Sequence, residues 1–152
     1  MLKNKSMSAG EISELLEKAP VGYLGLAKAG IPYVIPINFV YSDQIFYFHC
    51  APEGRKVDYI NANRRACFHS GEIGGLVAAK SPCKHSYSYR SVIVEGTMDE
   101  VVEAAEKEAV LHKITAKYAG PVQAKLPMAA KNIGAVKVYR LVPDHISGKR
   151  NP

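Results

Sequence analysis

The run Glu53-Gly54-Arg55-Lys56 joins a strand end to a helix start and sets two cations at the helix N-terminus. Such a terminus presents free N–H groups and the positive end of the helix dipole, so cations there are unfavourable unless an anion sits between. Arg offers a planar fork to phosphate oxygens and Lys a point charge. The corner therefore reads as a phosphate anchor, against the plainer reading of an exposed basic turn. Gly71-Glu72-Ile73-Gly74-Gly75 is no rival, because it lacks both the spacing and the following helix of a dinucleotide or Walker-type loop.

Cys67-x-His69 and Cys83-x-His85 carry zinc-ligand types. A C-x-H pair on a strand turns both side chains to one face without the tight knuckle of C-x-x-C, and Cys67 reads as a core residue. His49 and Cys50 are adjacent on a strand and face opposite ways, so they are not a nucleophile–base pair. With no G-x-S-x-G elbow and no H-E-x-x-H motif, any chemistry falls to a bound cofactor.

These residues need a scaffold, and the chain reads as one domain over residues 1–152. Ser8-Ala9-Gly10-Glu11 forms a capping box ahead of Ile12, Leu15 and Leu16, and Pro20 stops that helix. Val21–Ala27, Pro32–Tyr41 and Ile45–Cys50 read as three strands joined by turns at Lys28-Ala29-Gly30 and Ser42-Asp43-Gln44. Large side chains on both faces of the second and third strands suit a small closed barrel. A helix follows through Asn63, with Pro52 at its first position. Ala66–His69 is a short strand, Gly71–Ser86 a loop, and Tyr87–Val101 a long strand bent at Gly96. Val102–Tyr118 is a helix, Ile133–Val142 a final strand, and Pro143–Pro152 a tail. The expectation is mainly β: six antiparallel strands with three peripheral helices.

The composition agrees. Of 152 residues, 47% are hydrophobic and 22% charged, which excludes a disordered, collagen-like or disulfide-dense chain. Three cysteines, Cys50, Cys67 and Cys83, cannot all pair, and no secretory signal is seen at Met1–Met7, so a cytoplasmic location with free thiols is expected. The Asn4-Lys5-Ser6 sequon then carries no meaning. The net charge is 20 − 14 = +6. Residues 107–152 hold nine of the 20 basic side chains but only two of the 14 acidic ones, Glu108 and Asp144. Because the cations are spaced, they read as a solvated helix face and tail, with a nucleic-acid or phosphorylated-ligand surface as the alternative.

The ordered segments Gly25-Leu26, Pro32 to Phe39, Ile45 to Ala51, Gly54-Arg55-Lys56, Tyr89 to Ile93, Gly96 and Ser147 to Asn151 resemble the pyridoxamine 5'-phosphate oxidase-like FMN-binding split barrels. They are most similar to the branch related to nitroimidazole resistance proteins. The resemblance runs from Ser8 to Asn151 and implies a homodimer with FMN at its interface. By position, it implies that Tyr33, Val34, Ile35, Pro36, Ile37 and Asn38 line the flavin ring and ribityl chain, with Phe48, His49 and Ala51 alongside. On the same resemblance, Arg55 and Lys56 would grip the phosphate. Ser91 stands where the oxidase branch has a flavin-contacting Gln, and Lys149 and Arg150 reach the site from the tail of one subunit or the other.

True pyridoxamine phosphate oxidases end in a segment containing Trp and Arg. This chain has no Trp and a different tail, which argues against vitamin B6 oxidation. The resemblance implies an FMN-dependent oxidoreductase with a small-molecule donor or acceptor, including nitro compounds. The alternative is a flavin carrier, sensor or sequestering protein without turnover. No residue is assignable as general acid; His49 is the candidate near the ring, and a hydrogen-bonded barrel histidine is its equal alternative. No stacking platform for RNA is evident.

Overall fold

At the first helix, the Ser8 backbone N–H donates to Glu11 Oε2 at 2.8 Å, and the Glu11 N–H donates to Ser8 Oγ at 3.3 Å. This reciprocal pair satisfies two donors that a helix start leaves open. The computed structural model describes residues 5–151, so Asn4 of the sequon, the start of Met1–Met7 and Pro152 lie outside the described residues. In chain order the elements are β1 (Lys5–Ser6), α1 (Ala9–Lys18), β2 (Gly22–Lys28), β3 (Ile31–Ile37), β4 (Val40–Ser42), β5 (Ile45–Cys50) and α2 (Arg55–Ala62). They continue with β6 (Arg65–Val77), β7 (Ser86–Glu100), α3 (Ala104–Ala119), α4 (Pro121–Ala124), α5 (Ala130–Gly134) and β8 (Lys137–Asn151).

The expected hairpin turns form. Ala29 and Gly30 have φ of 50° and 75°, and Asp43 and Gln44 have 53° and 63°. Two successive left-handed residues match the right-handed twist of the flanking strands. All strand pairings are antiparallel, in the order β3-β2-β6-β7-β8-β5-β4, with β1 added to β8.

The two edges, β3 and β4, are consecutive in the chain and joined only by Asn38 and Phe39, so the sheet must curl until its edges meet. Tyr118 from α3 holds that seam. Its hydroxyl accepts from the Phe39 N–H at 2.9 Å and directs its own proton to the Pro20 carbonyl at 2.9 Å, with the Phe39 carbonyl at 3.2 Å. Inside the curl, Phe39 and Phe46 each lie within 5.0 Å of Phe68 by ring centroid, and Phe48 lies at 5.6 Å. Leu16, Leu24, Val92, Val94 and Leu141 complete the core around them.

The described residues form eight strands, not six. The second expected strand breaks at Asn38-Phe39 into β3 and β4, and β1 joins the sheet. The first part of the expected loop, Gly71 to Val77, is strand, because β6 keeps pairing with β7 out to Val77↔Ser86 across one irregularity between Ile73 and Leu76. The expected tail is strand as well: β8 runs to Asn151, paired with β7 as far as Tyr89↔Asn151. Asn151 is buried, and its Nδ2 donates to the Tyr87 carbonyl at 3.0 Å and to Ser86 Oγ at 3.2 Å. The bend at Gly96 is present as a register shift between Glu95 and Gly96. The described residues hold five α-helices, not the expected three. The second starts at Arg55, not Pro52, because Gly54 at φ 124° adopts a conformation other residues avoid and sets the N-cap there.

Candidate functional site

Two groups of the expected residues come together, on adjoining parts of the barrel. The first lies at the start of α2. Gly54 gives no side-chain cap, so the first N–H groups of this helix have no side-chain acceptor. The Arg55 guanidinium lies 4.3 Å from the centroid of Tyr33, on β3, and 5.3 Å from that of Tyr59, on α2, and it donates to the Tyr59 hydroxyl at 3.3 Å. This bond raises the Arg55 pKa further, so the charge is permanent. Neither Arg55 nor Lys56 has a carboxylate partner among the described residues. Two unneutralised cations at an uncapped helix start fit a phosphate monoester.

His49 ends up beside this corner. Burial lowers its pKa, and the charge of Lys56 lowers it further, so the imidazole is neutral at neutral pH. Its Nδ1 is buried without a hydrogen-bond partner, which leaves one polar atom for an incoming group to satisfy. Cys50 follows on β5, half-buried, with its thiol pKa raised by burial. Ala51 is exposed just past the strand end.

Strand β3 supplies the edge. Ile37 is buried and Tyr33 and Ile35 are half-buried against the core, whereas Val34, Pro36 and Asn38 face outward, Val34 at 65% exposure. Phe48 is only 1% exposed and packs inside the barrel, so only its backbone can face a ligand.

The second group lies on the outer face of β6, β7 and β8. His69 Nε2 and Ser91 Oγ are 3.0 Å apart, and Lys149 stands directly across from Ser91. One row of register partners, Pro36–Tyr23–His69–Ile93–Ser147, crosses β3, β2, β6, β7 and β8, which joins the β3 edge to the His69–Ser91 pair on one face. At a strand spacing of about 4.8 Å, Pro36 and His69 are roughly 10 Å apart. Arg150 shares the register row of Arg90, and its Nε lies 3.2 Å from Glu11 Oε1.

Cys67 is exposed, not core; its neighbours Ala66 and Phe68 point inward, so strand alternation turns it out. Cys83 is exposed in a short turn, and His85 Nδ1 accepts from the Ala79 N–H at 3.2 Å. Among the described residues, no three His, Cys, Asp or Glu side chains converge on a metal position. His69, weighed in the sequence only as a zinc ligand, stands at the candidate site beside Ser91, where sequence reading did not place it. Its parity with Cys67 on β6 gave the signal, but its contact with Ser91 depends on a register no local pattern encodes.

The cations of the basic C-terminal third are dispersed. Lys137 pairs with Glu100 at 3.1 Å, Arg140 with Glu106 at 2.9 Å and Lys113 with Asp43 at 3.8 Å, leaving no continuous positive stripe among them.

A family model described as pyridoxamine 5'-phosphate oxidase matches residues 8–150. The chain belongs to that family. No curated protein matches this family member. Among solved structures, it is similar to a candidate 5-nitroimidazole antibiotic resistance protein from Bacteroides thetaiotaomicron, with 25% identity and a TM-score of 0.84 over 97% of this chain and 87% of that one. A FAD-binding protein from Mesorhizobium loti has 25% identity and a TM-score of 0.74 over all of both chains. A FAD and heme binding protein from Mycobacterium smegmatis has the same fold, with 22% identity and a TM-score of 0.88 over 98% of this chain and 73% of that one. No helix among the described residues of this pyridoxamine phosphate oxidase relative is long and apolar enough to cross a membrane.

Proposed function

We propose that this protein binds FMN between two copies of the chain and acts as a cytoplasmic oxidoreductase on a small molecule. The observation that carries the reading is the Arg55–Lys56 corner: two unpaired cations at an uncapped helix start, beside an outward-facing apolar edge strand. Arg55, held by Tyr33 and Tyr59, and Lys56 would hold the phosphate. The backbone and outward side chains of Tyr33 to Asn38, with His49 and Ala51, would flank the ring, and Ser91 and Lys149 would face it from the neighbouring strands. When bound, the flavin supplies hydride or single-electron transfer at its ring. The family supports a flavin; one 25%-identical relative is a FAD-binding protein, and the other, a candidate 5-nitroimidazole antibiotic resistance protein, makes nitro compounds the acceptors to try first.

The dimer is supported by the bare outer face of β2, β3 and β7, where Tyr23, Val34 and Ile93 are all at least 45% exposed. Apolar side chains grouped on one sheet face mark an interaction surface.

A second reading, a flavin carrier or sensor without turnover, is favoured by His49. A neutral imidazole at neutral pH is a poor proton donor.

The test is spectroscopic. The purified protein, incubated with FMN and desalted, should keep the flavin absorbance band; a protein that stays colourless sinks the reading. Joint replacement Arg55→Ala and Lys56→Ala should weaken FMN much more than riboflavin, which lacks the phosphate. Equal weakening of both would place the phosphate elsewhere. Reduced nicotinamide consumption with a nitroaromatic acceptor separates the enzyme from the carrier.

A further inference from the structure

The His69–Ser91 pair lies on the outer face of the sheet, away from the core contacts that explain most polar side chains of the fold. The imidazole Nε2 and the hydroxyl Oγ are 3.0 Å apart on adjacent strands, and Ser91 is half-buried with its face open beyond it. The approach depends on Gly71, the register partner of Ser91. A Cβ at position 71 would lie 2.7 Å from the Arg90 carbonyl, 3.3 Å from Ser91 Cα and 3.4 Å from His69 Nε2. Glycine thus lets the β6 and β7 backbones come close where the two side chains meet.

The groups around His69 are few. From β2 the Tyr23 ring lies 6.2 Å away, tilted by 30°. From β7 come Ser91 and Ile93, and from β8 Lys149, across from Ser91. On its own strand and face the next titratable side chain is Cys67, whose register partner is Glu95. No carboxylate pairs with His69 among the described residues, and burial alone moves its pKa below the ordinary histidine value.

We propose that His69 is a positioning residue for Ser91: the imidazole decides whether the Ser91 hydroxyl offers a proton or a lone pair to the ring of a bound flavin. The inference rests on the flavin reading above. A hydroxyl has one proton to give. A neutral imidazole with its proton on Nδ1 accepts that proton at Nε2, and Ser91 then presents only lone pairs outward. A protonated imidazole donates from Nε2 to Ser91 Oγ, which releases the hydroxyl proton toward the ligand and adds a positive charge behind it. A flavin ring edge consists mainly of acceptors, so the protonated pair is the better partner.

By linkage, two results follow. FMN binds more tightly to the wild-type protein as pH falls through the His69 titration, and FMN binding raises the His69 pKa by the same coupling.

The experiment is an FMN binding titration by flavin fluorescence between about pH 8 and pH 5, the window in which imidazole charge changes. Wild type, His69→Gln and Ser91→Ala are compared, so that the ligand's own phosphate titration is common to all. The expected result is a several-fold tightening in wild type beyond that of both variants, each variant still binding FMN and melting as wild type does. A wild-type profile retained by His69→Gln overturns the proposal and leaves the flavin reading intact. A profile lost in His69→Gln but kept in Ser91→Ala also overturns it, because His69 would then act without Ser91. If wild type binds no FMN at any pH, the flavin reading falls and this proposal with it. Should a variant fold poorly, the His69 ring resonances of the wild-type protein decide by NMR. Their titration midpoint should rise on saturation with FMN, and an unmoved midpoint overturns the proposal.

Discussion

The outer surface of the barrel has two halves that the chain treats differently. Over β4, β5 and the start of β8, the outward residues Val40 and Val138 are buried by Val110, Leu111 and Ile114 of α3, with Tyr47, Met128, Ile133 and Val136 closing the edges. Over β2, β3, β6 and β7, side chains of the same kind, Tyr23, Val34 and Ile93, stay exposed among the described residues. Both halves are apolar, yet only one is completed internally. A sheet face that is apolar but uncovered implies cover from elsewhere. The outward side of the β3 edge and the His69–Ser91 pair lie on this same face. On one sheet, α3 completes the first half with buried side chains, and the second half keeps its apolar side chains exposed.

The largest expected contrast comes from truncating one residue on each half. Ile114→Ala removes packing from a filled cluster and should cost about 2–5 kcal/mol, seen as a lower melting temperature. Val34→Ala, 65% exposed, should leave the unfolding free energy of an isolated chain within about 0.5 kcal/mol. Equal losses would erase the distinction between the halves. Tyr118→Phe should come next, at about 1–3 kcal/mol, because it strands the Phe39 N–H and the Pro20 carbonyl at the seam. An unchanged urea midpoint would show that water replaces the hydroxyl there without cost. Val34→Asp is the smaller perturbation of the fold and the sharper test of the bare half. It should shift sedimentation toward the monomer and weaken FMN binding while the circular dichroism spectrum is kept. A dimer that survives it would have to be built on another face.

Much of this division was legible in the sequence, and the gaps have physical causes. The capping box, both hairpin turns, the bend at Gly96 and the Gly54-Arg55-Lys56 corner are local signals, and each lies where its residues put it. What depends on partners far along the chain was not legible. Gly71 to Val77 and Pro143 to Asn151 lack the apolar alternation that announces a strand, and they are extended because β7 pairs with both. Cys67 was misplaced by its residue type, although Phe68 beside it fixes the parity of the strand. At the candidate site, Arg55 and Lys56 followed from the helix-start argument. His69 required a cross-strand register, and the inward turn of Phe48 a knowledge of which face is core.

Lys117 brings the covered half to its smallest and most specific test. Its Nζ lies 3.8 Å from the centroid of Phe39 and donates to the Leu16 carbonyl at 3.1 Å, with no carboxylate partner among the described residues. Burial lowers its pKa from 10.5 to about 8. In the unfolded chain the amine keeps its proton up to about pH 10.5, whereas in the folded protein it loses it near pH 8. Between these values the unfolded state binds more protons, so this group makes stability rise with pH across that window and contributes no slope below it. Tyrosines titrate in the same range, and so the measurement is a difference. Denaturation midpoints of wild type and Lys117→Met, taken from pH 7.5 to 10.5, should converge or cross as pH rises, with the variant relatively more stable at the lower end, where wild type must bury a charge. The cation–π contact and the carbonyl hydrogen bond oppose that burial cost, which keeps the expected gap small. Parallel profiles would mean that water reaches the amine freely, and that the cover α3 provides stops short of the seam.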